Sequence, residues 1–237
     1  CIRDRAGTVA LAERWHGDDL VEIALGPHSA YTLDDATLRA AGDAAAETGM
    51  LLHIHVAETA AEGDAVRERT GRSVPAHLAE LGVLRGRALA AHGVWLDDAD
   101  IDLLAGSGTG VAHCPGSNGK LASGLAPVRA LRAGGIPVGV ATDGPASNNN
   151  LDLWEEAVLA LLYSRLREGD AAALGVEDAL RMMTSEAARA LGRSDLGALV
   201  LRRRPVWRER TAQHFNCTLP ASQTSVNQGK KSGLARA

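Results

Sequence analysis

Short apolar runs alternate with longer segments of helical period along most of the chain, and this alternation restricts the fold more than any other feature. It extends from Asp18 to Leu191. Apolar runs of four to seven residues predict strands, and helices between successive strands predict repeated βα units with a parallel sheet. The sequence therefore predicts an α/β fold.

The predicted strands are Val21–Leu25, Met50–Val56, Ala88–His92, Gly110–His113 and Ile136–Ala141. The predicted helices are Asp34–Thr48, with Asp34 as its cap, Ala60–Arg69, Val74–Leu81, Asp97–Ala105, Pro127–Ala133, Leu151–Arg167 and Val176–Leu191. Unusual polar residues follow or end these strands. In parallel barrels, catalytic side chains lie where strands end and loops begin, so these residues are the first candidates for a site.

The strongest local signal is the run His-Ile-His-Val-Ala-Glu at residues 53 to 58, on a predicted apolar strand. Side chains alternate along a strand, so His53 and His55 share one face and Glu58 lies just beyond the strand end. Metal-assisted hydrolysis needs a carboxylate that takes a proton from water and passes it to the leaving group. His55 is a candidate metal ligand and Glu58 a candidate shuttle. The competing interpretation is a core strand with hydrogen-bonded histidines.

The second signal is the run Ala-Thr-Asp-Gly-Pro-Ala-Ser-Asn-Asn-Asn after the last predicted strand. A carboxylate at this point can complete a metal shell, and Gly144 would allow a close approach to it. Asp143 is therefore a candidate metal ligand. The alternative is a turn followed by a helix cap, which is our interpretation of Asn148 to Asn150.

Two further histidines end the strands between these motifs. His92, in Ala-His-Gly-Val-Trp-Leu, is a candidate for binding metal or for stabilising a developing oxyanion. His113 precedes Cys-Pro-Gly-Ser-Asn-Gly-Lys-Leu, and we interpret it as structural. Ser117, Asn118 and Lys120 in that segment predict a rigid loop at the active site.

Charge and cysteine usage restrict the partners. The formal net charge is -4 and the charges are interspersed, so the sequence does not indicate a basic surface for nucleic acid. No apolar run approaches the roughly 20 residues that cross a bilayer. The three cysteines are far apart and form no Cys-x-x-Cys pair, which favours a reducing, cytoplasmic location. We expect a small-molecule substrate, no nucleic-acid partner and no membrane.

Taken in order, these motifs resemble the amidohydrolase superfamily, specifically its branch of methylthioadenosine/S-adenosylhomocysteine deaminases and triazine chlorohydrolase-like enzymes. The segment Gly-Pro-His-Ser-Ala-Tyr-Thr at residues 26 to 32 is similar to that branch's His-Ala-Pro-Tyr-Thr element, with Ser29 and Ala30 as a departure. The resemblance covers about residues 14 to 192. It implies a partial TIM-type (β/α)8 barrel with about the last five βα units, as in a carboxyl-terminal fragment.

The resemblance also implies an activity and its residues. The activity is metal-dependent hydrolysis of a C–N bond, by deamination of an adenosine-type or related N-heterocyclic compound. His55 and Asp143 are implied as metal ligands, Glu58 as the proton shuttle, and His92 as the catalytic or ligand histidine next to the metal. His28, Glu58 and Asp143 are expected to contact substrate. The implied metal is Zn2+ or Fe2+.

Parts of the family pattern are missing from the printed sequence. No His-x-His pair lies upstream of His28, where the family supplies two further ligands, and neither chain end can form the family's small β-sandwich. We therefore expect residues 1–200 to form a partial barrel domain that is inactive alone and poorly stable or self-associating as a homo-oligomer. Residues 201–237 are expected to be an irregular tail, either a solvated extension or the product of a shifted reading frame.

Several alternatives share this fold and metal site. A triazine-type chlorohydrolase, or a guanine, oxoguanine or cytosine deaminase, would differ only in the substrate pocket. From another class, a non-catalytic binding protein would keep the half-barrel as an interaction surface.

Overall fold

The computed structural model describes residues 2–199, with side chains from residue 5 onward. Its centre is a sheet of five parallel strands in the order β1-β2-β3-β4-β5, so each strand pairs with the next one in sequence. The strands are β1 (Ala24–Leu25), β2 (Leu51–Val56), β3 (Ala88–His92), β4 (Gly110–His113) and β5 (Val138–Val140). The predicted parallel sheet is confirmed. The predicted tail at 201–237 lies outside the described residues.

Helices lie between and after the strands. They are α1 (Ile2–Arg14), α2 (Asp35–Thr48), α3 (Ala60–Thr70), α4 (Val74–Glu80), α5 (Asp98–Ser107), α6 (Pro115–Lys120), α7 (Val128–Ala133), α8 (Leu153–Glu168), α9 (Val176–Met183) and α10 (Ser185–Ala190). No helix in the described part of the chain is both long enough and apolar enough to cross a lipid bilayer.

Capping residues explain where four of these helices begin. Asp34, Thr59, Ser73 and Asp97 each precede a helix, and each side chain accepts the backbone N–H three residues further on. This contact satisfies a donor that has no partner inside the helix. The predicted start of the second helix, with Asp34 as its cap, is confirmed.

Three predicted elements need correction. The strand expected at Val21–Leu25 is only two residues long, and the one expected at Ile136–Ala141 only three. The helix expected at Val176–Leu191 is two helices, because Thr184 has φ -129 and ψ -95. Its hydroxyl donates to the Leu180 carbonyl, a local hydrogen bond by which threonine bends helices. The helices α1 and α6 were not among the predicted elements, and α6 is too short to show a periodic apolar pattern.

Residues of the two sheet faces have different partners. On one face, the fully buried Leu52, Ile54 and Val111 belong to the main hydrophobic core. On the other face α10 lies against β4 and β5, where a Cβ on Gly110 would be 2.5 Å from the Ala190 carbonyl oxygen. Gly110 begins β4, so α10 contacts this strand at its amino-terminal end and leaves the carboxyl end free for a site.

Candidate metal centre

Three side chains from different strand ends meet at the carboxyl edge of the sheet. One ligand atom each from His55, His92 and Asp143 lies within 4.8 Å of the other two. His55 is on β2, His92 ends β3, and Asp143 follows β5. Two imidazoles and a carboxylate are donors that Zn2+ accepts, so this set fits a catalytic zinc or iron ion. The expected convergence of these strand ends is therefore observed.

The direction of His92 depends on an unusual backbone conformation. In the sheet register His55 pairs with Ala91, whereas His92 pairs with Val56, so strand alternation would place His92 on the face opposite His55. His92 has φ +72, in the left-handed region that residues other than glycine rarely adopt. The two imidazole rings nevertheless stack, with centroids 5.4 Å apart. We attribute this contact to the left-handed turn at His92, which redirects its side chain into the cluster.

Asp143 is held in place by two serine hydroxyls. Ser117 Oγ donates to Asp143 Oδ2 at 2.7 Å, and Ser147 Oγ donates to the same oxygen. Burial, the largest single influence, raises the pKa of Asp143, but the two serine hydrogen bonds, together with the Gly144 backbone and the charge of His92, hold the pKa below its ordinary value. The side chain is therefore an ionised carboxylate in neutral solution, as a metal ligand must be.

The segment after β5 differs from expectation in its helix cap. Asp143 itself has left-handed backbone, with φ +62, and the close approach to a metal expected at Gly144 stays a prediction. The helix cap is not an asparagine, since Asp152 caps α8 by accepting the Trp154 N–H. Asn148 instead accepts the Leu151 N–H, which closes the turn before the helix.

Glu58 lies beside the cluster. Its Oε2 is 3.9 Å from Nε2 of His92, and its side chain is largely buried. Its backbone N–H donates to Oε2 of Glu62 at 2.7 Å. This contact holds the backbone of Glu58 where the strand ends, with its carboxylate next to the proposed ligands.

His28 borders the cluster from the loop after β1. Its ring centroid is 4.7 Å from that of His55, and its carbonyl oxygen is 2.7 Å from His55 Nδ1. A carbonyl only accepts, so His55 Nδ1 carries the proton and Nε2 is left with a free lone pair. The side chain of His28 hydrogen-bonds Ser29 and Thr32 through Nδ1. The loop that resembled the family element therefore touches a candidate ligand directly.

Three nearby groups lie outside the cluster. His53 is on the same face of β2 as His55, and burial, followed by the charges of His55 and His92, lowers its pKa. His113 is buried, neither ring nitrogen has a partner among the described residues, and burial lowers its pKa to about 3. Burial also raises the pKa of Cys114 to about 12, so it is a thiol rather than a thiolate ligand. The structural interpretation of His113 agrees with a neutral, enclosed ring.

Glu156 is a supporting residue that the sequence analysis did not identify. It is 1% exposed, and it accepts hydrogen bonds from the Gly116 N–H at 2.7 Å and from Asn148 Nδ2. It therefore links α8 to the start of α6 and to the loop after β5. A glutamate among the apolar residues of a helix was the available signal, because burial of a charge is costly without partners.

Glu156→Gln is expected to change how stability depends on pH. Burial, the largest influence, raises the pKa of Glu156 above its ordinary value of 4.5, despite the hydrogen bonds from Gly116 and Asn148. The folded state then binds this proton more tightly than the unfolded state, so stability decreases as pH rises upward from about 4.5. Each unit of pKa shift corresponds to about 1.4 kcal/mol. The free energy of unfolding of the variant, relative to wild type, should therefore increase between about pH 4 and pH 7.

Urea unfolding at several pH values measures this difference. Glu47→Gln, at an exposed position of α2 away from Glu156, is the control for removing one negative charge. A pH-independent difference for Glu156→Gln would contradict the assigned effect of burial.

Comparison with known proteins places these features in a family. Residues 4–201 match the model of the amidohydrolase family. A 5-methylthioadenosine/S-adenosylhomocysteine deaminase of Pelotomaculum thermopropionicum is 44% identical over 194 residues, which are 81% of this chain and 45% of the relative. The chain spans slightly under half the length of this relative. The part of the relative that the chain represents stays a prediction.

Solved structures give the same result. An adenosine deaminase from Xanthomonas campestris with bound zinc superposes with a TM-score of 0.79 and 38% identity, over 81% of this chain and 44% of that chain. Atrazine chlorohydrolase from Arthrobacter aurescens, complexed with zinc, has a TM-score of 0.77 and 30% identity, over 82% and 44%. The predicted resemblance is confirmed, and the five strands are part of a TIM-type barrel. The chain belongs to the amidohydrolase family.

Proposed function

We propose that this chain supplies part of the active site of a metal-dependent deaminase acting on an adenosine-type or related N-heterocyclic compound. The observation that carries the proposal is the meeting of His55, His92 and Asp143 at the carboxyl edge of the sheet, with Glu58 beside them. Relatives named for deamination of methylthioadenosine, S-adenosylhomocysteine and 5'-deoxyadenosine support the substrate class.

In this proposal His55 and Asp143 hold the metal, which is Zn2+ or Fe2+. The zinc in both solved relatives supports this choice, as does the donor set. When bound, the ion supplies the Lewis acidity that makes water a nucleophile near neutral pH. His55 offers Nε2, because its Nδ1 donates to His28, and Asp143 offers the carboxylate oxygen that the serines do not occupy.

Glu58 and His92 carry the proton chemistry. Glu58 takes one proton from the attacking water and gives it to a ring nitrogen of the substrate. It then takes the second proton from the hydroxyl group that the substrate carbon has gained and gives it to the departing amine, so that the C–N bond breaks, a carbonyl forms and ammonia leaves. His92 Nε2 faces Glu58 at 3.9 Å and either stabilises the charge that develops or contributes a further metal contact. His28, Glu58 and Asp143 are proposed to contact the substrate from the rim of the site.

A chlorohydrolase acting on a triazine is the second candidate, supported by the similarity to atrazine chlorohydrolase. In both reactions a substituent of an N-heterocycle leaves and is replaced by an oxygen that comes from water. Deamination is favoured because the deaminase relative is 44% identical and the chlorohydrolase 30% identical. Self-association as a homo-oligomer, a cytoplasmic location and the boundary at residue 200 stay predictions.

The proposal is tested on the protein extended to the full length of its relatives. Ammonia release is followed with methylthioadenosine, S-adenosylhomocysteine and adenosine, and chloride release with atrazine. We expect ammonia release that stops after chelation and returns with Zn2+ or Fe2+. Protein with bound metal that releases no ammonia from these compounds, or releases only chloride, would overturn the proposed reaction.

A further inference from the structure

The short helix α6 lies behind the cluster and carries two consecutive residues that contact it. Ser117 donates to Asp143, and Asn118 Oδ1 lies 2.9 Å from Nδ1 of His92. The contact between Asn118 and His92 is buried, since both residues are 1% exposed. Water therefore cannot compete for the hydrogen bond between these two side chains.

This hydrogen bond determines which nitrogen of His92 carries the proton. A neutral imidazole has one N–H and one bare nitrogen, and an amide oxygen can only accept. With Nδ1–H donating to Asn118, the lone pair is on Nε2. Nε2 is the nitrogen that faces Glu58, at 3.9 Å. Of the two functions considered for His92, the metal contact needs that lone pair. Stabilising a developing oxyanion would instead need a proton on Nε2, so the hydrogen bond to Asn118 favours the metal contact.

The position of Asn118 is set by the backbone rather than by His92. Its N–H donates to the Cys114 carbonyl at 2.9 Å, and its own carbonyl accepts from the Ser123 N–H at 2.8 Å. The start of α6 is closely packed, since a Cβ on Gly116 would lie 2.1 Å from Glu156. The acceptor is therefore in place independently of the ring that it contacts.

The other end of the amide makes no competing contact. Asn118 Nδ2 is buried and has no hydrogen-bond partner among the described residues. The one side-chain hydrogen bond that the structure shows for Asn118 is the one to His92. A buried amide that leaves its nitrogen unpaired is costly, so packing of α6 alone does not account for asparagine at this position.

We infer that Asn118 is a positioning residue that fixes the Nδ1–H tautomer of His92 before metal or substrate binds. Its consequence for the site rests on the proposed function, but the tautomer itself does not. Hydrogen bonds of this kind orient histidines in metal sites, and their loss typically lowers metal affinity roughly 10- to 100-fold.

The test begins with the tautomer in the metal-free 237-residue chain. With ¹⁵N-labelled histidine at about pH 8.5, long-range ¹H–¹⁵N spectra distinguish a protonated Nδ1 from a protonated Nε2, and the missing signal in His92→Gln gives the assignment. We expect the Nδ1–H form in wild type. Asn118→Leu removes the acceptor but keeps a side chain of similar volume, so His92 should lose its preference for the Nδ1–H form. Asn118→Asp, whose carboxylate can only accept when it is ionised, should keep it.

Zinc affinity is the second readout. Asn118→Leu should weaken Zn2+ binding roughly 10- to 100-fold, while Asn118→Asp should stay close to wild type. Ser164→Ala removes another buried and unpartnered polar group, on α8, and controls for that loss alone. Circular dichroism shows whether each variant is folded.

The wild-type tautomer decides the inference even if Asn118→Leu does not fold. A protonated Nε2 on His92 in the wild-type chain would overturn it, and so would equal tautomer populations in wild type and a folded Asn118→Leu. A preserved Nδ1–H form in the 237-residue chain, together with no deaminase activity in the protein extended to the full length of its relatives, would instead refute the proposed function and leave this inference standing.

Discussion

Glu58→Gln is expected to lower turnover by at least roughly 10²- to 10⁴-fold while metal binding survives, in the protein extended to the full length of its relatives. General acid and base steps each contribute about this factor. Glutamine has nearly the same shape as glutamate but cannot take up or release the proton. The backbone contact between Glu58 and Glu62 does not use the side chain that is changed, so the local fold should be kept. The rate of ammonia release and the metal content are measured on the same sample.

Glu68→Gln is the matched control. Glu68 is an exposed residue on α3, so this substitution makes the same chemical change away from the cluster. It should turn over substrate at the wild-type rate. Normal deamination by Glu58→Gln would show that the proton passes through another group.

Single substitutions His55→Ala and Asp143→Ala are expected to weaken zinc binding by at least about 100-fold. Replacing a residue that only supports a ligand typically costs 10- to 100-fold, and removal of a ligand itself should cost no less. A catalytic zinc site usually has three protein ligands, and the cluster offers three donors, so each loss removes a large part of the shell. Titration calorimetry or competition with a chelating dye measures the dissociation constant.

His53→Ala is the control, because His53 lies on the same face of β2 but outside the cluster. Its affinity for zinc should stay within a few-fold of wild type. If Asp143→Ala binds zinc as tightly as wild type while His53→Ala does not, the ion is held at a different place on β2, and the assignment of the ligands would have to be withdrawn.

Local patterns were enough to predict most elements of the fold. The apolar runs at Ala88–His92 and Gly110–His113 gave strands with the observed bounds. Both runs are buried along their whole length, and a histidine marks the carboxyl end of each. Asp34 marked the start of a helix because capping involves residues only three apart. These features depend on near neighbours in sequence.

Predictions failed where the deciding contact is long-range or where a break has no strong local signal. β1 could not be given its true length, since it pairs with only one strand in the described residues. The division at Thr184 was missed because the residues on both sides favour a helix. Glu156 was not recognised as a site support, because its two partners lie 40 and 8 residues away.

The sequence by itself determined the order of the strands, the identity of the donors and their position at strand ends. These features follow from the local spacing of apolar residues and from the rule that parallel strands end at the same edge of a sheet. Only the tertiary structure decided the direction of His92 and the nitrogen that it offers. Strand alternation directs His92 away from His55, and its left-handed backbone reverses that direction. Its tautomer depends on Asn118, which is 26 residues further along the chain and reaches His92 only when β3 and β4 pair.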